Sequence, residues 1–265
     1  MKIRSFLFLC VAAGMCFMSC RNGHTSGADA APEATMPSDS MSVCKDRTVI
    51  VSETDSMWLY KPVFNGGVEL LCEYDCHPAE GNDRIFVAAG AYTLTYSWSE
   101  FDHVLIAGPH VAGQFYEGYD EPAISGAFYY INSEKRWGFV HDGYEKTLRE
   151  MSASEGQCVG FSQVMLISDG EICNIHPRTN PNKLRHRRAI CEIDNDLYIV
   201  DSKHKITLFE FTESLKALGV ENGLYMDMGR MRYSAYKEFA SGEWTEIHPR
   251  NRVTKYCSNY LVFYR

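Results

Sequence analysis

Short apolar runs, many of them alternating with polar residues, follow one another along most of the chain and predict many strands and few helices. The first runs cover residues 47–51, 56–60 and 68–74. Between the second and the third, Asn65-Gly66-Gly67 predicts a hairpin turn, because asparagine and glycine readily accept positive φ angles. Further strands are predicted at 84–96, 103–108, 123–131, 136–140, 163–167 and 260–264.

The segment that follows residue 186 gives the clearest pattern. Apolar runs at 187–193 and 197–202 flank the polar residues 194–196 and predict a β-hairpin with a tight turn. An amphipathic helix is predicted at 208–218, with Thr207 and Glu210 as its capping box. Its buried stripe consists of Leu208, Phe211, Leu215 and Leu218. Gly219 suits the end of this helix.

A strand at 223–228 follows the helix, so residues 197–228 predict a βαβ crossover whose two strands run parallel. In the second strand Leu224, Met226 and Met228 face one way, while Tyr225 and Asp227 face the other. The fold class predicted for the whole chain is therefore α+β. We expect a many-stranded, mixed and twisted sheet with a few packed helices.

Charged residues gather where the two crossover strands end, which is where ligand sites of such units lie. One strand ends in Asp201, Ser202, Lys203 and His204, and the other is followed by Asp227, Gly229, Arg230 and Arg232. Pairing outward from a turn at 195–196 places Arg187 and Arg188 opposite Lys203 and His204. The amides at the start of the helix also favour anions. This pattern indicates either an anion site with one carboxylate or a solvated rim of ion pairs.

The N-terminal segment indicates export. Lys2 and Arg4 precede an apolar run that is short for a membrane span, and the run ends in Phe17-Met18-Ser19-Cys20. This ending resembles the lipobox of bacterial lipoproteins, which implies a signal peptide at 1–19 and a lipidated Cys20 as the first residue of the mature protein. A lipid on Cys20 would hold the protein to a bilayer at the cell envelope, on the periplasmic side or at the outer membrane.

The remaining chain divides into a linker and a domain. Residues 20–43 are rich in Ser, Ala, Pro and Gly and predict a flexible linker, whereas residues 44–265 have the length and apolar content of one domain. The formal net charge is −8, and loss of the signal peptide removes two cations and no acid. An acidic domain of this kind does not favour nucleic acid as a partner.

The cysteines leave the redox state open. Seven cysteines follow Cys20, so at least one thiol should stay unpaired even where disulfides are permitted. Cys72 and Cys76 with His77 give only a weak zinc pattern, because no second pair accompanies them. No metal site is therefore assigned. The sequence indicates no cofactor, and although its acidic loops could hold a structural calcium ion, no spacing specifies one.

Residues 187–229 resemble the phosphodiester glycosidase family, which includes the catalytic domain of the mannose-6-phosphate uncovering enzyme. Arg187, Ala189 and Ile190 match its R-T-A-I-G strand, residues 209–218 match its capped helix, and Asp227 with Gly229 matches its L-D-G-G-G-S motif. Residues 160–172 and 252–264 resemble neighbouring family segments. The resemblance implies a divergent bacterial lipoprotein member of this family.

The chain departs from the family at several motif positions. Met228 replaces a glycine, Arg230-Met231 stand where Gly-Ser is expected, and Arg188 and Cys191 replace a threonine and a glycine. The family's N-G-G-F-F turn has no clean counterpart. Residues 106–118 occupy its place, with Ala107 at the asparagine position and His110 as a new polar group. Because glycines let the backbone approach a ligand closely, their loss indicates an altered pocket or none.

The resemblance implies hydrolysis of a glycosidic bond in a sugar-1-phosphodiester or a related phosphate-linked glycan, by a glycoside hydrolase if the chain is active. The implied catalytic residues are Asp227, as nucleophile or base, and Arg187, which would hold the phosphate. Further substrate contacts are expected from Arg188, Arg230, His110, Gln163, His204 and Gly229. Glu117, Asp120 and Glu121 are either a second carboxylate or part of a solvated loop. The alternative function is a degenerate member that binds a glycan or phosphosugar without turnover.

Overall fold

Antiparallel strands make up most of the regular secondary structure in this computed structural model, which describes residues 47–74, 81, 83–91, 100–153, 158–176, 180–227, 233–238 and 240–265. The strands are β1 (Val49–Glu53), β2 (Met57–Pro62), β3 (Gly67–Leu71), β4 (Arg84–Ala89), β5 (His110–Ala112), β6 (Phe115–Tyr116), β7 (Gly126–Ile131), β8 (Arg136–Val140), β9 (Cys158–Gln163), β10 (Met165–Ser168), β11 (Glu171–Ile172), β12 (Arg188–Ile193), β13 (Asp196–Ser202), β14 (Asn222–Met226), β15 (Ser234–Lys237), β16 (Trp244–His248) and β17 (Tyr260–Tyr264). The α-helices are α1 (Tyr144–Ala153) and α2 (Leu208–Ala217). The predicted signal peptide, Cys20 and the linker lie outside the described residues.

The strands form three sheets. The first has the order β1-β2-β13-β12-β14-β10-β11, the second β16-β15-β4-β17-β3, and the third β6-β5-β9-β7-β8. Every pairing between these strands is antiparallel. The fold is thus α+β, as predicted, but its strands form three antiparallel sheets in the described chain instead of one mixed sheet.

The predicted crossover is present in a modified form. β13 and β14 run in the same direction, as expected, but β12 lies between them and is antiparallel to both. The carboxyl ends of β13 and β14 therefore meet the start of β12 at one edge of the first sheet. Arg188 sits at this edge, opposite Asp201 on one side and opposite Met226 on the other.

The hairpin β12–β13 has a shorter turn than the sequence predicts. Asp194 and Asn195 form the turn with φ of 51° and 61°, and Ile193 pairs with Asp196. Residue 188 is consequently opposite Asp201, and the backbone N–H of Ser202 donates to the Arg187 carbonyl. The predicted pairing with Lys203 and His204 is wrong by two residues, because the turn residues are 194 and 195 and not 195 and 196.

The predicted hairpin at Asn65-Gly66-Gly67 is wrong. The chain leaves the first sheet after β2 and enters the second sheet at β3, so this triplet joins two sheets. Gly66 lies against the last strand, where an added Cβ would come within 2.1 Å of the Arg265 carbonyl oxygen, and Gly67 has a φ of +112°. The triplet is glycine-rich because of this close approach and this backbone conformation.

Other strand predictions held to different extents. Strands occupy most of each predicted run at 123–131, 136–140, 163–167 and 260–264. The run at 103–108 is instead a short 3-10 helix, His103–Leu105, followed by an isolated bridge between Ala107 and Tyr119. Helix α1 was not predicted, and its buried side is narrow, with Leu148 as its buried residue.

The main core lies between the three sheets. Ile190 and Met226 come from the first sheet, Phe86 and Phe263 from the second, and Phe161 from the third. A second core lies on the other face of the first sheet, where α2 covers it. Strands β9 and β10 are separated by Val164 alone, so one stretch of chain runs from the third sheet into the first. The first sheet thus has both faces covered around β12.

The thiols are mostly interior. Cys158, Cys191 and Cys257 are buried and free, and burial raises the pKa of each thiol, to about 11 for Cys158 and about 12 for Cys257. These cysteines serve as small core residues. None of the helices in the described residues has both the length and the apolar character of a membrane span.

Helix α2 carries the predicted capping box. The Thr207 hydroxyl accepts from the Glu210 N–H at 3.1 Å, and the Glu210 carboxylate accepts from the Thr207 N–H at 2.7 Å. Leu208, Phe211 and Leu215 are fully buried beneath the helix. The local sequence therefore defines both where this helix starts and which side faces the sheet.

Replacing Thr207 with alanine should lower the free energy of unfolding by about 1 kcal/mol, because the Glu210 amide loses its capping acceptor. Thr207→Ser keeps a hydroxyl at the same position and should cost much less. Urea titrations of the two variants and the wild type provide the measurement. Equal stability of all three proteins would contradict the cap's contribution.

Candidate functional site at the edge of the first sheet

The site predicted from the sequence lies at one end of three central strands of the first sheet, where β12 begins and β13 and β14 end. We call this place the edge. It has a core face, which looks toward the second sheet, and a helix face, which looks toward α2. Arg188 and Asp201 occupy the core face, whereas Arg187 and Tyr225 occupy the helix face, because alternate strand residues point to opposite sides.

A buried ion pair dominates the core face. Arg188 Nε donates to Asp201 Oδ1 at 2.7 Å, and Nη2 donates to Oδ2 at 2.7 Å. The two side chains are 0% and 1% exposed. Nη2 also donates to the Ser234 hydroxyl at 2.7 Å, so the guanidinium joins the first sheet to β15 of the second. Arg188 is therefore an interior residue, and its role in substrate binding stays a prediction.

His248 completes this network from β16. Burial by itself would raise the pKa of Asp201, but Arg188 and His248 outweigh it and lower the pKa to about 2. The ionised carboxylate can only accept hydrogen bonds. His248 Nε2, at 3.0 Å from Oδ2, must therefore be the protonated nitrogen, which leaves Nδ1 as the ring's other polar atom.

A cavity of about 320 Å³ adjoins this network on the core face. Three aromatic residues from β2 and β15 line it: Trp58, Tyr60 and Tyr236. Three basic residues also line it: His186, Lys203 and His248. The other lining residues are neutral: Val51, Ser202, Thr245 and Ile247. None of the described residues that line the cavity is acidic, although the chain as a whole has a net charge of −8.

The helix face holds Arg187 in a closed set of contacts. Its Nη2 donates to the Lys183 carbonyl at 2.6 Å, Nε to the Ile206 carbonyl at 3.4 Å, and Nη1 to the Tyr225 hydroxyl at 3.3 Å. The residue is 3% exposed. Its guanidinium thus ties the loop before β12 to the loop after β13, and Arg187 contacts Tyr225 instead of facing open solvent.

Asp227 follows β14 at the same edge. Its backbone N–H donates to the Gly90 carbonyl at 2.7 Å. Ala91, which follows Gly90 in the chain, is bound by the Asn259 side chain. The Asn259 side chain accepts from the Ala91 N–H at 2.7 Å and donates to the Ala91 carbonyl at 3.1 Å. Gly90 has no room for a side chain, because an added Cβ would lie 2.9 Å from the Asn259 oxygen. Asp227 therefore starts from a well-defined backbone position.

Arg187 and Asp227 both act on the pKa of the Tyr225 hydroxyl. Burial raises the pKa of the Tyr225 hydroxyl, Arg187 lowers it, and Asp227 raises it. Arg185, an exposed residue that the sequence did not single out, lowers it as well. The charges of both residues implied as catalytic therefore act on the pKa of the same tyrosine hydroxyl.

His110 lies in the third sheet with both ring nitrogens engaged. Nδ1 is 3.1 Å from the Gly108 carbonyl and must donate to it, so Nε2 accepts from His103 Nδ1 at 2.8 Å. The ring is 0% exposed, and burial lowers its pKa to about 4. These bonds make His110 part of the interior of the third sheet, and they leave it no polar atom for a substrate.

The other expected contacts are placed as follows. Gln163 is buried, and its Oε1 accepts from the Val164 N–H at 3.0 Å. His204 is exposed in the loop between β13 and α2. Gly229 and Arg230 lie outside the described residues. Glu117 is exposed and pairs with Arg149, Asp120 is exposed, and Glu121 caps its own loop through the Ala123 N–H, as the solvated-loop reading predicts.

Several residues of the edge could not be found from the sequence. Tyr60, Ser234 and His248 come from strands that are distant in the chain, and no motif marks them. His248-Pro249-Arg250 repeats the tripeptide His176-Pro177-Arg178, which gives no hint that His248 binds Asp201. In the described chain, no group of three or more His, Cys, Asp or Glu side chains is arranged to hold a metal ion.

Removing one partner of the buried ion pair should be costly. Arg188→Met leaves the buried Asp201 carboxylate with His248 as its remaining side-chain partner and should lower the free energy of unfolding by about 3–5 kcal/mol. Adding Asp201→Asn removes that charge, so the double variant should be more stable than Arg188→Met alone. Guanidinium titrations measure both. A double variant less stable than the single one would contradict the ion-pair description.

His110 should make stability depend on pH. Because its folded pKa is about 4 against an ordinary 6.5, its contribution is complete above about pH 6.5 and is lost as the pH falls from there toward 4. The loss amounts to about 3 kcal/mol. Denaturation of His110→Asn at pH 7.0 and 4.5 should show a smaller difference than the wild type shows. His204→Asn, at an exposed histidine, should behave like the wild type.

Comparison with known proteins connects this fold with one enzyme domain. No family model and no curated protein sequence matches the chain. Among solved structures, the catalytic domain of zebrafish N-acetylglucosamine-1-phosphodiester alpha-N-acetylglucosaminidase, auto-inhibited by its pro-peptide, is similar to it. The TM-score is 0.51 with 13% sequence identity, over 82% of this chain and 81% of that chain. A hypothetical protein from Synechocystis has a TM-score of 0.42 and 13% identity, over 82% of this chain and 61% of that chain. The zebrafish likeness shows a related fold.

Proposed function

We propose that the protein hydrolyses a glycosidic bond in a sugar-1-phosphodiester or a related phosphate-linked glycan. The observation that carries the proposal is the position of Asp227 at the end of β14, beside Tyr225 and Arg187, in a fold related to a phosphodiester glycosidase domain. A phosphate monoester is a good leaving group, so the reaction depends chiefly on a carboxylate at the anomeric carbon and on cations near the phosphate.

In this proposal Asp227 is the nucleophile or the base. Arg187 acts as a positioning residue, because its donors are committed to Lys183, Ile206 and Tyr225. Arg185 is better suited to meet a phosphate, since it is exposed and lies near the Tyr225 hydroxyl. The enzyme would act at the cell envelope, held to a bilayer through a lipid on Cys20.

The Asp227→Asn variant tests this assignment. Release of free sugar from a sugar-1-phosphodiester should fall on the order of 10³-fold, because the carboxylate that assists the anomeric carbon is gone. Asp142→Asn is the matched control. Asp142 is exposed and distant from Asp227 in the sequence, so this variant should retain full activity. If Asp227→Asn released sugar as fast as the wild type, the proposed mechanism would be eliminated.

A second function is favoured by one observation. Arg187 and Arg188, the two arginines expected to bind phosphate, are almost fully buried, and their contacts are with protein atoms. This arrangement suits a protein that binds a glycan or phosphosugar without turning it over. The sugar-release assay and a titration with the same intact phosphodiester together distinguish the two functions, since a binder releases no sugar above background but still binds the phosphodiester.

A further inference from the structure

The cavity on the core face has the make-up of a binding site that is separate from Asp227. We propose that it binds a single pyranose ring that carries one phosphate or carboxylate group. The proposal rests on the lining of the cavity and does not depend on the hydrolytic function, because Asp227 is not among the lining residues.

One wall offers aromatic surface. Trp58 and Tyr60 project from β2 on the core face, and Tyr236 faces Tyr60 with ring centroids 6.3 Å apart. Trp58 is 36% exposed, so part of its side chain is accessible to solvent. The C–H face of a pyranose is apolar and packs well on such rings, while the ring edges leave its hydroxyls free for polar contacts.

Basic side chains line another part of the cavity. Lys203 Nζ lies 4.4 Å from the centroid of the Trp58 ring, so positive charge and aromatic surface adjoin each other. Glu53 holds this ammonium at 2.6 Å from outside the cavity lining and thereby fixes its position. His248 is fixed by Asp201, and its ring centroid is 6.4 Å from that of His186, a separation that one anionic group can bridge.

The charge of the lining and the volume of the cavity restrict the kinds of ligand that fit. The described lining residues include three basic side chains and no acidic one. The carboxylates of Glu53 and Asp201 lie behind this lining, where each binds one of the basic groups, so an anionic group in the cavity meets basic side chains first. A volume of about 320 Å³ is at the lower end for small-molecule sites, which run from about 300 to 1,000 Å³. The cavity therefore suits one sugar ring better than an oligosaccharide.

Isothermal titration calorimetry on the intact mature domain tests the proposal with four probes: glucose 6-phosphate, glucuronate, glucose and inorganic phosphate. At least one of the two anionic sugars should bind ten or more times as tightly as glucose and as inorganic phosphate. Whichever anionic sugar binds more tightly identifies phosphate or carboxylate as the preferred group. No binding by either anionic sugar would overturn the proposal, as would equal binding of glucose or of inorganic phosphate.

Matched variants assign the binding to the cavity. Trp58→Ala and Lys203→Met should each weaken the anionic sugar about tenfold, because each removes one wall. Phe209→Ala and Lys216→Met are the controls, since Phe209 is an exposed aromatic on α2 and Lys216 pairs with Glu171 on the surface. Thermal melts of each variant verify folding. Unchanged binding by both Trp58→Ala and Lys203→Met would overturn the location of the site.

Discussion

The guanidinium of Arg188 and the carboxylate of Asp201 bind each other directly in the interior, and the rest of the edge is arranged around them. Two parallel hydrogen bonds of 2.7 Å fix both planes, and Ser234 and His248 extend the contact into the second sheet. A buried pair of this kind adds little net stability compared with apolar residues, but neither partner can leave without stranding the other. The ion pair therefore determines the relative position of the first and second sheets and contributes little to the stability of their contact.

This constraint divides the edge into two regions with different chemistry. On the core face, Asp201 is held ionised and in turn orients His248 beside a cavity with aromatic and basic walls. On the helix face, Arg187 closes two loops around Tyr225, and Asp227 stands next to it on a backbone position set by Gly90. Arg187, just before β12, and Arg188, the first residue of β12, thus serve different regions, because neighbouring residues of an extended chain point to opposite sides.

The sequence specified local features and left distant ones open. Helix α2 was predictable because Thr207, Glu210 and Gly219 mark its ends, and the hairpin because two apolar runs flank a polar turn. The register was missed, since residues 194–196 allow more than one turn. The place of Asp227 at the edge followed from strand order and alternation. The burial of Arg188 did not follow, because Ser234, which accepts from Arg188, lies 46 residues away, and His248, which binds Asp201, lies 47 residues from that aspartate. Both belong to a sheet that no local pattern reveals.

Strands β9 and β10 form nearly one continuous stretch, interrupted by Val164 alone, and this stretch pairs with β7 in the third sheet and with β14 in the first. The two strands are joined by one residue and not by a loop that could accommodate a relative movement of the two sheets. Local opening of one of them must pull on backbone hydrogen bonds of the other, so we expect the pair to exchange amide hydrogens as a single cooperative unit. Slow exchange would then extend from Cys158 to Ser168 without a break, and the backbone that supports Tyr225 and Asp227 would be as rigid as the molecule's interior.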